Sequence, residues 1–176
     1  MRVLLTGGSA CGKSTYGEAL AASLPQPRLY VATMRPYGEE SLRRIARHRQ
    51  MRAAKGFTTI ERYTDIAGMP LPAGGTVLLE CLCNLTANEM FEPEGAGADC
   101  VSEIMRGLHL LADSCDDLIV VTNDVGSDGG GYGRATMEYA AALAWLNNLV
   151  AAEFDHVLEL CAGIPLALKG GLPCLG

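Results

Sequence analysis

The sequence predicts an α/β fold, a mostly parallel sheet with helices on both faces and a short hairpin at its C-terminal end. Three observations carry that expectation. Short, almost wholly apolar runs such as RVLLT (2–6) and TVLLEC (76–81) alternate with helical patterns, as buried strands of a parallel sheet do. Hydrophobic residues make up 49% and charged residues 19%, the balance of a folded soluble protein and not of a disordered chain. At 176 residues one core can be buried without staples, and with no repeat and no linker residues 1–176 read as one domain.

The elements follow in order. RVLLT ends at Gly7-Gly8, which closes the first strand. A helical pattern runs from Lys13 to about Ser23 and is stopped by Pro25 and Pro27. RLYVAT (28–33) reads as the second strand. Gly38-Glu39-Glu40-Ser41 opens a helix through about Ala54, ended by Lys55-Gly56, and FTTIERY (57–63) alternates weakly as a short strand. The Pro/Gly-rich loop 68–75 precedes TVLLEC. Helical segments fill 82–91 and 99–114, with EPEGAGA between them. DLIVVTND (117–124) is the next strand, and the Gly-rich loop 126–133 leads into a helix from about Arg134 to Glu153. HVLELC and PLALK close the chain as short strands around Gly163.

Fourteen Lys and Arg against 20 Asp and Glu leave a net charge of −6, which argues against a general nucleic-acid binder. Seven cysteines, an odd number without a CxxC, suit neither a disulfide framework nor a zinc site. They read as reduced thiols of a cytoplasmic protein. The opening MRVLLTGG is too short an apolar run for a signal peptide, and no later run reaches membrane-spanning length.

Gly7-Gly8-Ser9-Ala10-Cys11-Gly12-Lys13-Ser14 fits G-x-x-x-x-G-K-[ST] and stands between a buried strand and a helix start. Glycines let the backbone turn its N–H groups toward phosphate oxygens, and the helix N-terminus adds positive potential. Lys13 would reach the outer phosphates, Ser14 would ligate Mg²⁺, and Thr15 extends the phosphate-binding set. The chain therefore reads as a binder of nucleoside triphosphates. An acidic partner for the metal's water shell should end a neighbouring strand. Glu80, after TVLL, and Asp124, after LIVVTN, both qualify, and Glu80 is favoured because four apolar or β-branched residues precede it directly.

RRIARHRQMRAAK (43–55) holds six of the fourteen cationic residues around His48. Alone it reads more readily as a solvated helix face than as a phosphate-gripping surface.

These residues carry a resemblance. LLTGGSACGKS (4–14), LYVAT (29–33), RIARHRQMR (44–52), LLECLCNLTANEMF (78–91), VTNDVG (121–126), LNN (146–148) and CAGIPLALKG (161–170) together, and in order, resemble the bifunctional adenosylcobinamide kinase/adenosylcobinamide-phosphate guanylyltransferases of cobalamin biosynthesis. The resemblance implies a RecA-like P-loop fold and two reactions. ATP or GTP phosphorylates the hydroxyl of the aminopropanol arm of adenosylcobinamide, and GTP then donates GMP to that phosphate. It also implies a guanylyl-histidine intermediate at His48 and, as in some relatives, a homotrimer. Arg44 and Arg52, one turn to either side of His48, share its helix face, and Arg47 and Arg49 flank it. Guanidinium groups grip phosphates in pairs of hydrogen bonds and would keep the imidazole neutral and nucleophilic.

The chain departs from the better-known members after VTNDVG. SDGGGYGRATMEYAAALAWLNN replaces a Val-Pro loop and an Arg-Asp helix, and Asp124 stands where relatives often carry Glu. Gly129–Gly131 and Tyr132 suggest a loop that closes over a ligand, and Arg134 and Lys169 are further candidate phosphate contacts. His109, in the apolar GLHLLA, is expected in the core or at its edge, and His156 at a strand start. Two other functions fit the residues, a P-loop small-metabolite kinase without the histidine step and an inactive nucleotide- or corrinoid-binding regulator.

Overall fold

A computed structural model of the chain describes residues 1–52, 55–125 and 133–173, and of Ser41, Arg44, His48 and Met51 the backbone alone. The apolar runs form strands because their buried side chains face both ways. β1 (Arg2–Thr6), β4 (Thr76–Glu80) and β5 (Asp117–Val121) lie side by side at the centre of a seven-stranded sheet. Leu4, Leu79 and Val120 on one face, and Leu5, Leu78 and Ile119 on the other, are all fully buried. That is the pattern of a sheet covered on both sides.

The strand order is β3-β2-β4-β5-β1-β6-β7. β2 (Arg28–Ala32) and β3 (Phe57–Glu61) lie beyond β4, and β6 (His156–Cys161) lies beyond β1, all parallel to their neighbours. β7 (Ile164–Lys169) runs antiparallel at the edge, as the expected hairpin. The helices are α1 (Lys13–Ser23), α2 (Gly38–Arg52), α3 (Leu82–Phe91), α4 (Cys100–Ser114) and α5 (Arg134–Glu153). Short 3₁₀ turns at Ile66–Gly68 and Gly97–Asp99 were not legible in the sequence.

Four strands stop sooner than their apolar runs suggest. RLYVAT, FTTIERY, TVLLEC and DLIVVTND yield strands ending at Ala32, Glu61, Glu80 and Val121. At Cys81 the reason is visible: its N–H donates to the Thr33 hydroxyl (2.7 Å), and that hydroxyl donates to the Cys81 carbonyl (2.9 Å). A side chain thus replaces the ladder, and Cys81 turns to cap α3. The C-terminal strand ends open into loops on one edge of the sheet, where ligands of open α/β sheets bind.

α1 crosses this sheet at close range. A Cβ on Gly17 would lie 3.0 Å from Leu5 Cδ1 and 3.4 Å from Leu78 Cδ1. The β6–β7 turn, Ala162-Gly163, takes positive φ at both residues (49° and 82°), and the Gly163 N–H donates to the Cys11 carbonyl at 2.8 Å. The hairpin tip therefore braces the loop after β1.

The Gly17 contact can be tested by urea denaturation. Gly17→Val should lower stability by about 1–3 kcal/mol through overpacking, as a shifted midpoint with unchanged slope. Gly17→Ala should cost far less, because its gain in helix propensity of about 1 kcal/mol offsets the tight contact.

Candidate functional site

The loop 7–14 is built by its backbone. Gly7 and Gly12 adopt φ of 130° and 103°, and a Cβ on Gly7 would meet the Leu160 carbonyl oxygen at 2.6 Å. Only glycine fits there. No side chain caps the N-terminus of α1, so its first N–H groups have no capping partner and suit an anion. Lys13 is buried, and its ammonium donates to the carbonyls of Gly7 (2.8 Å) and Gly8 (2.5 Å) and touches Cys11 Sγ at 3.5 Å.

A cavity of about 570 Å³ opens from this loop across one face of the sheet. Its floor follows from strand register. Thr59 pairs with Tyr30 on neighbouring strands, and one step on Glu61, Ala32, Glu80 and Val121 form a row. All of them line the cavity. Because Ala32 carries only a methyl, the Tyr30 hydroxyl reaches past it to donate to Glu80 Oε2 at 2.9 Å. The other carboxylate oxygen of Glu80 accepts from the Ser14 hydroxyl. Burial, and then the charge of Glu80, push the Tyr30 phenol far above its usual range, so it stays protonated and donates.

The roof comes from α2. Arg47, Arg49 and Arg52 line the cavity with Ile45 and Glu40. Arg49 pairs with Glu61, which also accepts from the Tyr63 hydroxyl at 2.9 Å. The Tyr63 hydrogen bond, then that from Arg49, hold the Glu61 carboxyl below its ordinary range. Arg52 is only 5% exposed and sits over the face of Tyr30, its Cζ 3.5 Å from the ring centroid. Its Nε and Nη1 are buried with no hydrogen-bond partner among the described residues. Beyond α2, Lys55 donates to the fully buried Glu18 of α1 at 2.6 Å.

The far wall is uncharged and includes Cys81, Asn84 and Asn123. Behind it the Cys83 thiol is drawn down to about 7, chiefly by hydrogen bonding from Cys81 and, against burial, by the Asn123 N–H at 3.1 Å. The Cys81 thiol is pushed up by the same bond and by burial.

The structure brings Ser9 through Thr15, Arg47, Arg52 and Glu80 to one cavity. Gly7 and Gly8 meet it through their bonds to Lys13. His48 and Arg44 stand on α2, but their side chains lie outside the described residues, as do loop residues 126–132. Asp124 is exposed and does not line the cavity, so Glu80 is the acid beside Ser14. Arg134 is exposed and pairs with Glu138, and the Lys169 ammonium caps the Ala151 and Ala152 carbonyls at the end of α5. Both lie away from the cavity lining. His109 is surface-exposed and bonded to Glu153 at 2.7 Å, and His156 opens β6. Sequence reasoning missed Tyr30, Asn84 and Asn123 as lining residues. Tyr30 had one available signal, a hydroxyl between the apolar Leu29 and Val31 of its strand.

Ser14 and Glu80 offer hard oxygen donors held against one another, a set that fits Mg²⁺. Among the described residues no group of three or more His, Cys, Asp or Glu could hold a metal alone. Mg²⁺ usually takes one or two protein oxygens and completes its shell with phosphate and water.

The family model described as cobinamide kinase/cobinamide phosphate guanyltransferase matches residues 3–168. The bifunctional adenosylcobalamin biosynthesis protein CobP of Pseudomonas aeruginosa is 31% identical, over 97% of this chain and 98% of its own. The bifunctional adenosylcobalamin biosynthesis protein CobU of Salmonella typhimurium is 29% identical, over 96% of this chain and all of its own. Among solved structures, a prototypical ATPase from the type III secretion system of pathogenic bacteria aligns at a TM-score of 0.50 and 13% identity. That alignment covers 90% of this chain and 50% of the ATPase, and it supports the P-loop fold alone.

The buried Glu18–Lys55 pair ties the segment after α2 to α1. Lys55→Met should destabilise the chain by about 3 kcal/mol, because it strands a buried carboxylate. Adding Glu18→Leu should recover most of that loss in thermal or urea unfolding.

Proposed function

The chain belongs to the cobinamide kinase/cobinamide phosphate guanyltransferase family, and on that premise we propose that the cavity beside the phosphate loop serves both reactions of adenosylcobalamin biosynthesis. One observation carries this reading: the phosphate loop, Glu80 and the arginines of α2 face a common space. Residues 1–176 act as one catalytic domain.

In the kinase step ATP or GTP lies with its phosphates in loop 7–14. N–H groups of the loop and the N-terminus of α1 hold the β-phosphate, and Lys13 exchanges its loop carbonyls for outer phosphate oxygens. Ser14 and Glu80 would hold Mg²⁺, directly or through water, and the ion would neutralise charge on the terminal phosphates. The hydroxyl oxygen of adenosylcobinamide attacks the γ-phosphorus, the bond to the bridging oxygen breaks, and a nucleoside diphosphate leaves. The hydroxyl proton is released.

In the second step a neutral ring nitrogen of His48 attacks the α-phosphorus of GTP and pyrophosphate leaves. A phosphate oxygen of adenosylcobinamide phosphate then attacks the same phosphorus, frees the histidine and gives adenosyl-GDP-cobinamide. Arg47 and Arg49 flank His48 in α2 and line the cavity, and Arg52 follows one turn later. Arg44 completes the phosphate-binding set. These guanidinium groups balance charge on the departing pyrophosphate.

No helix among the described residues is long and apolar enough to cross a membrane. A cytoplasmic location and a homotrimer complete the proposal. The exposed Ile164, Leu166 and Leu168 of edge strand β7 support self-association, since a second copy would cover them. Sedimentation at micromolar concentration should give three times the chain mass, and a monomer there refutes the trimer.

Incubation with α-labelled GTP and Mg²⁺ should leave an acid-labile, alkali-stable adduct on the wild type and none on His48→Ala. No adduct on a wild type that binds GTP would remove the His48 role. Lys13→Ala should lower cobinamide phosphorylation by about two orders of magnitude or more, and unchanged activity would overturn the loop assignment.

A further inference from the structure

We propose that Tyr30 is a positioning residue whose one buried ring sets both the orientation of the Glu80 carboxylate and the placement of the Arg52 guanidinium. The inference rests on the proposed nucleotide site. It adds that the metal-side and phosphate-side contacts to a nucleoside triphosphate are fixed together, from a residue that touches neither.

The geometry gives the ring two jobs. At its edge, the hydroxyl donates to Glu80 Oε2 at 2.9 Å while Ser14 donates to Oε1. Two donors on two oxygens fix the plane of the carboxylate, whose terminal torsion is otherwise soft. On its face, the ring carries Arg52 at 3.5 Å, a contact strengthened by the lack of water around a side chain only 5% exposed. The ring is itself pinned. It packs edge-on against Phe57 at 6.2 Å and 79°, and Tyr30 is 3% exposed.

Arg52 shows why such a platform is needed. Its Nε and Nη1 are buried without a hydrogen-bond partner among the described residues, a cost that the attraction of the ring face beneath the guanidinium offsets in part. Contact with the ring face holds the guanidinium at the cavity wall, which Arg52 lines. Ala32 is part of the device, since a larger side chain in that row would stand between the hydroxyl and Glu80.

The two jobs separate by substitution. Tyr30→Phe keeps the ring under Arg52 and removes the donor to Glu80; Tyr30→Leu removes both. The probe is a non-hydrolysable GTP analogue, titrated in EDTA and against increasing Mg²⁺. Tyr30→Phe should bind within about twofold of wild type in EDTA but need about tenfold more Mg²⁺ for half-maximal tightening, the size of one charge-assisted hydrogen bond. Its kcat for phosphorylation should fall with KM little changed. Tyr30→Leu should also lose about tenfold in affinity in EDTA. If Tyr30→Leu does not fold, Tyr30→Phe, which conserves the ring, decides alone. A lowered melting temperature with a wild-type Mg²⁺ midpoint in Tyr30→Phe overturns the inference and leaves a structural tyrosine. Lys13→Ala run in parallel separates the two levels. If GTP binding is indifferent to Lys13→Ala, the site reading falls and this inference with it; a normal Lys13 response with an unchanged Tyr30→Phe overturns the inference alone.

Discussion

The carboxylate of Glu80 is the point on which the cavity's geometry depends. It ends β4, two strands from β1, with Val121 of β5 level between them. From there it accepts from Ser14 at the start of α1 and from Tyr30 of β2. Three elements distant in sequence therefore meet at one acidic group. The sheet order makes this possible, since a one-residue slip of β4 would turn Glu80 to the other face and leave the Ser14 and Tyr30 hydroxyls without their acceptor.

α2 is held in a different way. Its sequence carries little apolar surface, and Leu42, one of its few large hydrophobic residues, is exposed. Attachment runs instead through charge. Arg49 pairs with Glu61, Arg52 stacks on Tyr30, and Lys55 just beyond the helix reaches Glu18. These contacts differ in worth. The exposed Arg49–Glu61 pair is screened by salt and contributes little, whereas the Lys55–Glu18 and Arg52–Tyr30 contacts are buried and resist screening. A basic helix thus stays beside an otherwise acidic protein with only Arg49, among the cavity-lining arginines, held in an ion pair between described residues.

Much of the fold was legible because its signals are local. Each apolar run, Gly-rich turn and proline stop acts within a few residues, and the strands and helices formed where those signals lay. The phosphate loop was legible for the same reason, as its spacing encodes a backbone shape directly. What the sequence concealed were relations across the sheet. That Tyr30 faces Glu80 depends on the register of β2 against β4 and on the small side chain of Ala32. That Arg134 and Lys169 face away from the cavity depends on where α5 and β7 pack, and their charge alone suggested phosphate. Asp124 and Glu80 looked alike as strand-end acids. The strand order separates them, because the chain leaves β5 after Val121 and carries Asp124 out to solvent.

The mixture of charges in the cavity sets how an anion would bind. Lys13, Arg47, Arg49 and Arg52 face the carboxylates of Glu40, Glu61 and Glu80. A triphosphate entering such a space competes for cations already engaged: Lys13 with loop carbonyls, Arg49 with Glu61. Arg52 is engaged differently, through the face of the Tyr30 ring, with Nε and Nη1 buried and without a hydrogen-bond partner among the described residues. Binding at Arg49 must displace Glu61. Release of Arg49 from Glu61 would follow only where the added anion outweighs a half-exposed ion pair, and such a pair is worth little to hold.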